Sequence, residues 1–130
     1  MAKTHAVGDT FTLVRECDRY RPIYYAAASG DFNPIHIDND VGAKAGLGGA
    51  ILQGLCTYGW ATEAFLTYLG DPAKVTKLKV RFSKPVAVGD VITFTGKVTT
   101  IENGVLTAEI SATNQKGDDV LKGARAEGKI

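Results

Sequence analysis

Cysteine and histidine are both scarce in this sequence, which contains two of each. Cys17 and Cys56 lie too far apart for a zinc or redox motif, and two thiols make no disulfide framework. Both are expected to be reduced, which points to a cytoplasmic protein. A strong charge of either sign is missing too. Fifteen Lys and Arg against 14 Asp and Glu leave a net charge of +1, without the basic excess of a nucleic-acid binder. The start, Met1-Ala2-Lys3-Thr4-His5, lacks the apolar run of a signal peptide, and His5 reads as part of a mobile terminus. One long apolar stretch, residues 50–69, invites a membrane reading. It carries Gln53, Thr57, Thr62, Glu63 and Thr67 without a flanking basic cluster, and a charge near mid-span is costly in lipid. A helix of that kind is expected inside its own protein rather than in a membrane.

What is present is an ordinary globular composition. With 45% hydrophobic and 22% charged residues, residues 1–130 read as one domain around a single core. The turn Val7-Gly8-Asp9 leads into a strand over 10–17. Asp18 is placed to cap a short helix with Pro22 in its first turn and Gly30 at its end. Asp38 or Asn39 starts a second short helix, and Gly46, Gly48 and Gly49 release the chain into a long helix over about 52–69.

After Pro72 the apolar period changes from helical to alternating. Leu78, Val80 and Phe82 alternate with Lys77, Lys79, Arg81 and Ser83, as expected of a half-buried strand. A strand over 91–98, the hairpin signal Asn103-Gly104, and strands over 106–113 and 120–130 complete the chain. One strand, short helices, a long apolar helix and four strands in antiparallel succession make an α+β fold, with a twisted sheet curling around the helix.

The richest chemistry lies in Ser29-Gly30-Asp31-Phe32-Asn33-Pro34-Ile35-His36-Ile37-Asp38. Pro34 keeps Asn33 out of the α region, so the loop is stiff. It offers a carboxylate and an imidazole together. Histidine, with a reference pKa near 6.5, is suited to proton transfer at neutral pH. Six fixed residue types at fixed spacing arise by chance with a probability on the order of 10⁻⁸ per starting position.

That loop resembles the hydration motif of the MaoC-like, or hydratase-2, branch of the hotdog fold. Tyr25, residues 51–57 (Ile-Leu-Gln-Gly-Leu-Cys-Thr) and residues 80–86 (Val-Arg-Phe-Ser-Lys-Pro-Val) extend the resemblance over nearly the whole chain. Gly70-Asp71-Pro72 with Val80-Arg81-Phe82 is similar to mycobacterial (3R)-hydroxyacyl carrier-protein dehydratases. The resemblance implies an antiparallel sheet wrapped around a central helix. It also implies reversible syn hydration of trans-2-enoyl thioesters, carried by coenzyme A or an acyl carrier protein, to (3R)-hydroxyacyl thioesters.

On that resemblance Asp31 and His36 form the acid–base pair, with Asp31 expected against an apolar acyl tunnel. Asn33 orders the loop or holds water, and Asp38 is a helix cap. The amide of Gly54, at the positive end of the long helix, donates to the thioester oxygen. Gln53 departs from the family pattern, in which His commonly precedes this glycine. Lys79, Arg81 and Lys84, with Lys77, present a basic face to the carrier. Cys56 is a small buried hydrophobe, and Trp60, Phe65 and Tyr68 belong to the core. Neither a cofactor nor a metal is implied. A homodimer is expected, or a heterodimer with a related hotdog subunit. Two other readings remain at this point: a hotdog thioesterase, and a non-catalytic acyl-binding subunit.

Overall fold

The computed structural model describes residues 3–130; Met1 and Ala2 lie outside the described residues. The first strand, β1, is Thr10–Glu16. Asp18 does not itself occupy the cap position of the helix that follows. Tyr20 is the N-cap of α1 (Arg21–Ser29), and Asp18 Oδ1 accepts the amides of Tyr20 and Arg21, both at 2.9 Å. Gly30 ends α1 with φ 80°, a left-handed conformation that glycine adopts without a Cβ penalty. A 3₁₀ turn, Pro34–His36, and the short α2 (Asn39–Lys44) lead to α3, Gly54–Leu69. At 16 residues α3 is roughly 24 Å long. No helix among the described residues is long and apolar enough to cross a membrane.

The other strands are β2 (Val75–Phe82), β3 (Val91–Glu102), β4 (Val105–Thr113) and β5 (Asp119–Lys129). They form one antiparallel sheet in the order β1-β3-β4-β5-β2. The expected simple succession of the last four strands is therefore corrected. β2 does not pair with β3, its successor in sequence, but crosses to the far edge and pairs with β5. Alternation had identified its buried face but carries no information about its neighbour. At the β3–β4 turn, Asn103 and Gly104 have φ 51° and 74°, as a two-residue hairpin requires.

The sheet curls around α3 as an α+β hotdog. Helix residues Trp60, Ala61, Ala64, Phe65, Tyr68 and Leu69 are buried against it, and Phe65, Phe94, Ile92 and Leu106 are wholly inaccessible. Burying a side chain of this size contributes about 1.5–3 kcal/mol. The sheet residues beneath the helix are small, including Ala108, Ala112, Ala124 and Ala126, which lets the helix lie close. α3 nevertheless keeps an outward side, where Gly59 and Thr67 are exposed and Glu63 is paired with Arg15 of β1. His5 also departs from expectation. Its ring packs edge-on to Tyr68 with centroids 4.9 Å apart, so this part of the N-terminal segment is docked.

Candidate active site

The loop between α1 and α2 is held by its own side chains. Ser29 Oγ donates to the Tyr25 carbonyl at 2.7 Å and accepts the Asp31 amide at 3.1 Å. Asp31 Oδ1 accepts the Asn33 amide at 3.3 Å, and Asn33 Oδ1 accepts the Ile35 amide at 3.2 Å. Asn33 is thus the cap of the 3₁₀ turn that begins at Pro34 and carries His36. Asp38 accepts the amides of Asp40 and Val41 and caps α2, as its position implied.

His36 is buried, with 8% of its surface exposed. Its Nδ1 lies 2.8 Å from the carbonyl oxygen of Ile51. A carbonyl only accepts, so Nδ1 carries a proton and the neutral ring presents Nε2 as its acceptor. Nε2 lies 3.6 Å from Asp31 Oδ2. That separation is too long for a direct hydrogen bond. An oxygen at the apex, about 2.8 Å from both atoms, can bond to each. The Asp31 side chain is 47% exposed, so this chain does not enclose it against the expected apolar tunnel.

His36 and Gly54 line one cleft of about 170 Å³, together with Thr57, Phe82, Lys84 and Pro85 among others. Gly54 is the first residue of α3, where the first amides have no intrahelical acceptor and the helix dipole is positive. Phe82 is 51% exposed, against the half-buried place its alternation implied. Its ring would lie 3.3 Å from a Cβ at position 54, so a glycine there keeps the cleft open beside it. A larger groove of about 450 Å³ lies on the other face of the sheet, between Lys97, Glu109 and Arg125. It holds neither member of the Asp31–His36 pair. Here chemistry rather than volume identifies the site.

The basic residues separate. Lys84 borders the cleft, and its ammonium is 2.7 Å from Asp118. Lys79 and Arg81 do not line the cleft. They are exposed on β2, across from Arg125 and Lys122 of β5. Sequence reasoning gave no structural role to Gln53, which is 1% exposed and donates to two backbone carbonyls. Nothing local in the sequence reveals contacts that span 31 and 22 residues. Cys17 and Cys56 are buried free thiols, pushed up by burial to about 12 and about 11, and unsuited to nucleophilic work at neutral pH.

A stretch of 72 residues is 40% identical to a probable enoyl-CoA hydratase 2 of Dictyostelium discoideum, over 54% of this chain and 24% of that protein. The chain therefore matches about a quarter of that relative's length. A 3-hydroxybutyryl-CoA dehydratase of Methylorubrum extorquens is 29% identical over 95% of this chain and 80% of its own. Among solved structures, the unliganded R-hydratase PhaJ1 of Pseudomonas aeruginosa superposes with a TM-score of 0.86 at 25% identity. That match covers 95% of this chain and 80% of the other. The family model described as MaoC like domain matches residues 11–119, spanning both the loop that carries Asp31 and His36 and the start of α3, and the chain belongs to that family.

Proposed function

We propose that residues 1–130 form one MaoC-like domain that reversibly hydrates trans-2-enoyl thioesters to (3R)-hydroxyacyl thioesters. The observation that carries the reading is the contact of His36 Nδ1 with the Ile51 carbonyl, which turns Nε2 toward Asp31 beside the cleft that Gly54 borders. Water at the apex of the pair gives one proton to His36 Nε2, while the Asp31 carboxylate accepts its other hydrogen and aims the oxygen. That oxygen bonds to the β-carbon as the Cα–Cβ π electrons move toward the thioester carbonyl. The Gly54 amide donates to the carbonyl oxygen as negative charge develops there. The imidazolium then returns its proton to the α-carbon on the same face, so addition is syn and all atoms of water are retained. This sequence uses no cofactor. Asn33 contributes by holding the loop.

Lys84, and more distantly Lys79 and Arg81, supply positive charge to a coenzyme A or acyl carrier protein thioester. The working assembly is a homodimer, in which pairing of sheet edges covers strands that a single chain leaves open. A related hotdog subunit would cover them in a heterodimer. The test is incubation with crotonyl-CoA, following loss of the conjugated enoyl absorbance alongside release of free thiol. Hydration without thiol release supports the proposal. Thiol release identifies a thioesterase instead. Neither change, with CoA and carrier-protein substrates of several chain lengths, identifies a binding subunit.

A further inference from the structure

We infer that Gln53 is a positioning residue, which fixes Asp31 relative to the start of α3; the inference rests on the hydration reading. Gln53 is among the largest fully buried side chains. Its Nε2 donates to the Pro22 carbonyl at 2.8 Å and to the Asp31 carbonyl at 3.4 Å. Both partners can only accept, so the amide has one workable orientation, with nitrogen toward them. Pro22 sits in the first turn of α1, and Asp31 is the carboxylate member of the acid–base pair. The backbone of Gln53 is meanwhile the N-cap of α3, its carbonyl accepting the amides of Cys56 and Thr57. Gly54 follows immediately. One residue thus joins the start of α1, the backbone of Asp31 and the amide that faces the thioester oxygen.

The donor chemistry of the amide, beyond its volume, carries the role. Gln53 Oε1 is buried and accepts no hydrogen bond. What glutamine supplies, and leucine does not, is a nitrogen with two hydrogens directed at two carbonyls. Glutamate has the same shape but, when ionised, has no hydrogen to give and places negative charge against both oxygens.

The experiment compares wild type, Gln53→Leu and Gln53→Glu with crotonyl-CoA, recording kcat, KM, the pH profile and thermal unfolding. Gln53→Leu takes the side-chain donor from two carbonyls and is expected to melt somewhat lower than wild type, to lose about ten-fold or more in kcat in the protein that remains folded, and to keep its KM. For Gln53→Glu, the ratio of its kcat to that of wild type should rise as pH falls from 8 to 6, because a protonated carboxyl regains one donor. Wild-type kcat in Gln53→Leu overturns the inference, as does a flat ratio in Gln53→Glu; the second criterion decides if the leucine variant does not fold. Wild type that hydrates normally while these criteria fail removes the positioning role alone. Wild type without hydration removes the functional reading beneath it.

Discussion

At its C-terminal end α3 is closed over by the N-terminal segment and β1. The Tyr68 hydroxyl donates to Asp9 at 2.6 Å, Phe11 stacks on the Tyr68 ring at 4.8 Å, and Lys3 donates to the Tyr68 carbonyl. Gly70 caps the helix in the left-handed conformation. At its N-terminal end the same helix has no side-chain cap. There Gln53 Oε1 lacks a partner, Phe82 and Leu55 are exposed, and the Asp31–His36 pair stands at 3.6 Å without direct contact. The closed end spends its polar groups on one another and anchors the helix. The open end leaves Gln53 Oε1 without a protein partner and the facing atoms of Asp31 and His36 without a bond to one another. What distinguishes the two is the Asp31–His36 pair, which its loop presents without a direct bond between its members.

The largest effects should come from breaking the open end. Asp31→Asn and His36→Ala are each expected to lower hydration at least 100-fold, a scale typical of acid–base groups, and steady-state rates with crotonyl-CoA measure it. Turnover near wild type in either would abolish the distinction drawn for that end. Gly96→Ala should instead damage the closed end. A Cβ there falls 2.0 Å from the Phe11 ring, and relief by distortion costs about 1–3 kcal/mol of stability by urea titration. The comparison predicts that hydration by the protein remaining folded is little changed.

A smaller and more local effect is expected at Gly54. Gly54→Ala keeps the amide and gains a Cβ 3.3 Å from Phe82, so kcat/KM should fall about ten-fold with little loss of stability. Adding Phe82→Leu should recover part of that loss, and no recovery would mean that the ring is not what the methyl disturbs. The smallest effect is alkaline. Burial holds Cys17 at about 12 and Cys56 at about 11, against an ordinary value of 9.0. Above about pH 9 the unfolded chain releases protons that the folded chain keeps, so stability falls as pH rises toward those values. Tyr68 is raised by burial and by its bond to Asp9, and adds to the same slope. Urea midpoints at pH 8 and pH 10 measure the loss, and equal midpoints would contradict it.

Much of the open end was legible in the sequence because its order is local. Pro34, Gly30 and the short side chains of Ser29, Asp31 and Asn33 dictate the loop within a few residues. The long helix and most of the strand faces followed from periodicity. The remainder depends on partners distant along the chain. Nothing in the alternation of β2 says that it lies beside β5, or that Phe82 turns to Gly54. The Lys84–Asp118 pair and the two carbonyls held by Gln53 are likewise products of the assembled fold. Tyr68 was placed in the core, but its polar contact with Asp9 was not foreseeable from spacing alone.

One small feature has a use in protein engineering. The Ile51 amide donates to the Ile35 carbonyl at 3.0 Å, and the Ile51 carbonyl in turn accepts from His36 Nδ1. The two bonds run in opposite directions between the same two strips of chain, so the imidazole is oriented by a neighbour 15 residues away. The smallest portable unit therefore runs from Pro22, which Gln53 holds, through the loop to the start of α3. Grafting residues 31–36 alone onto another scaffold would transfer the letters of the motif while leaving the imidazole free to spin and to exchange its two nitrogens.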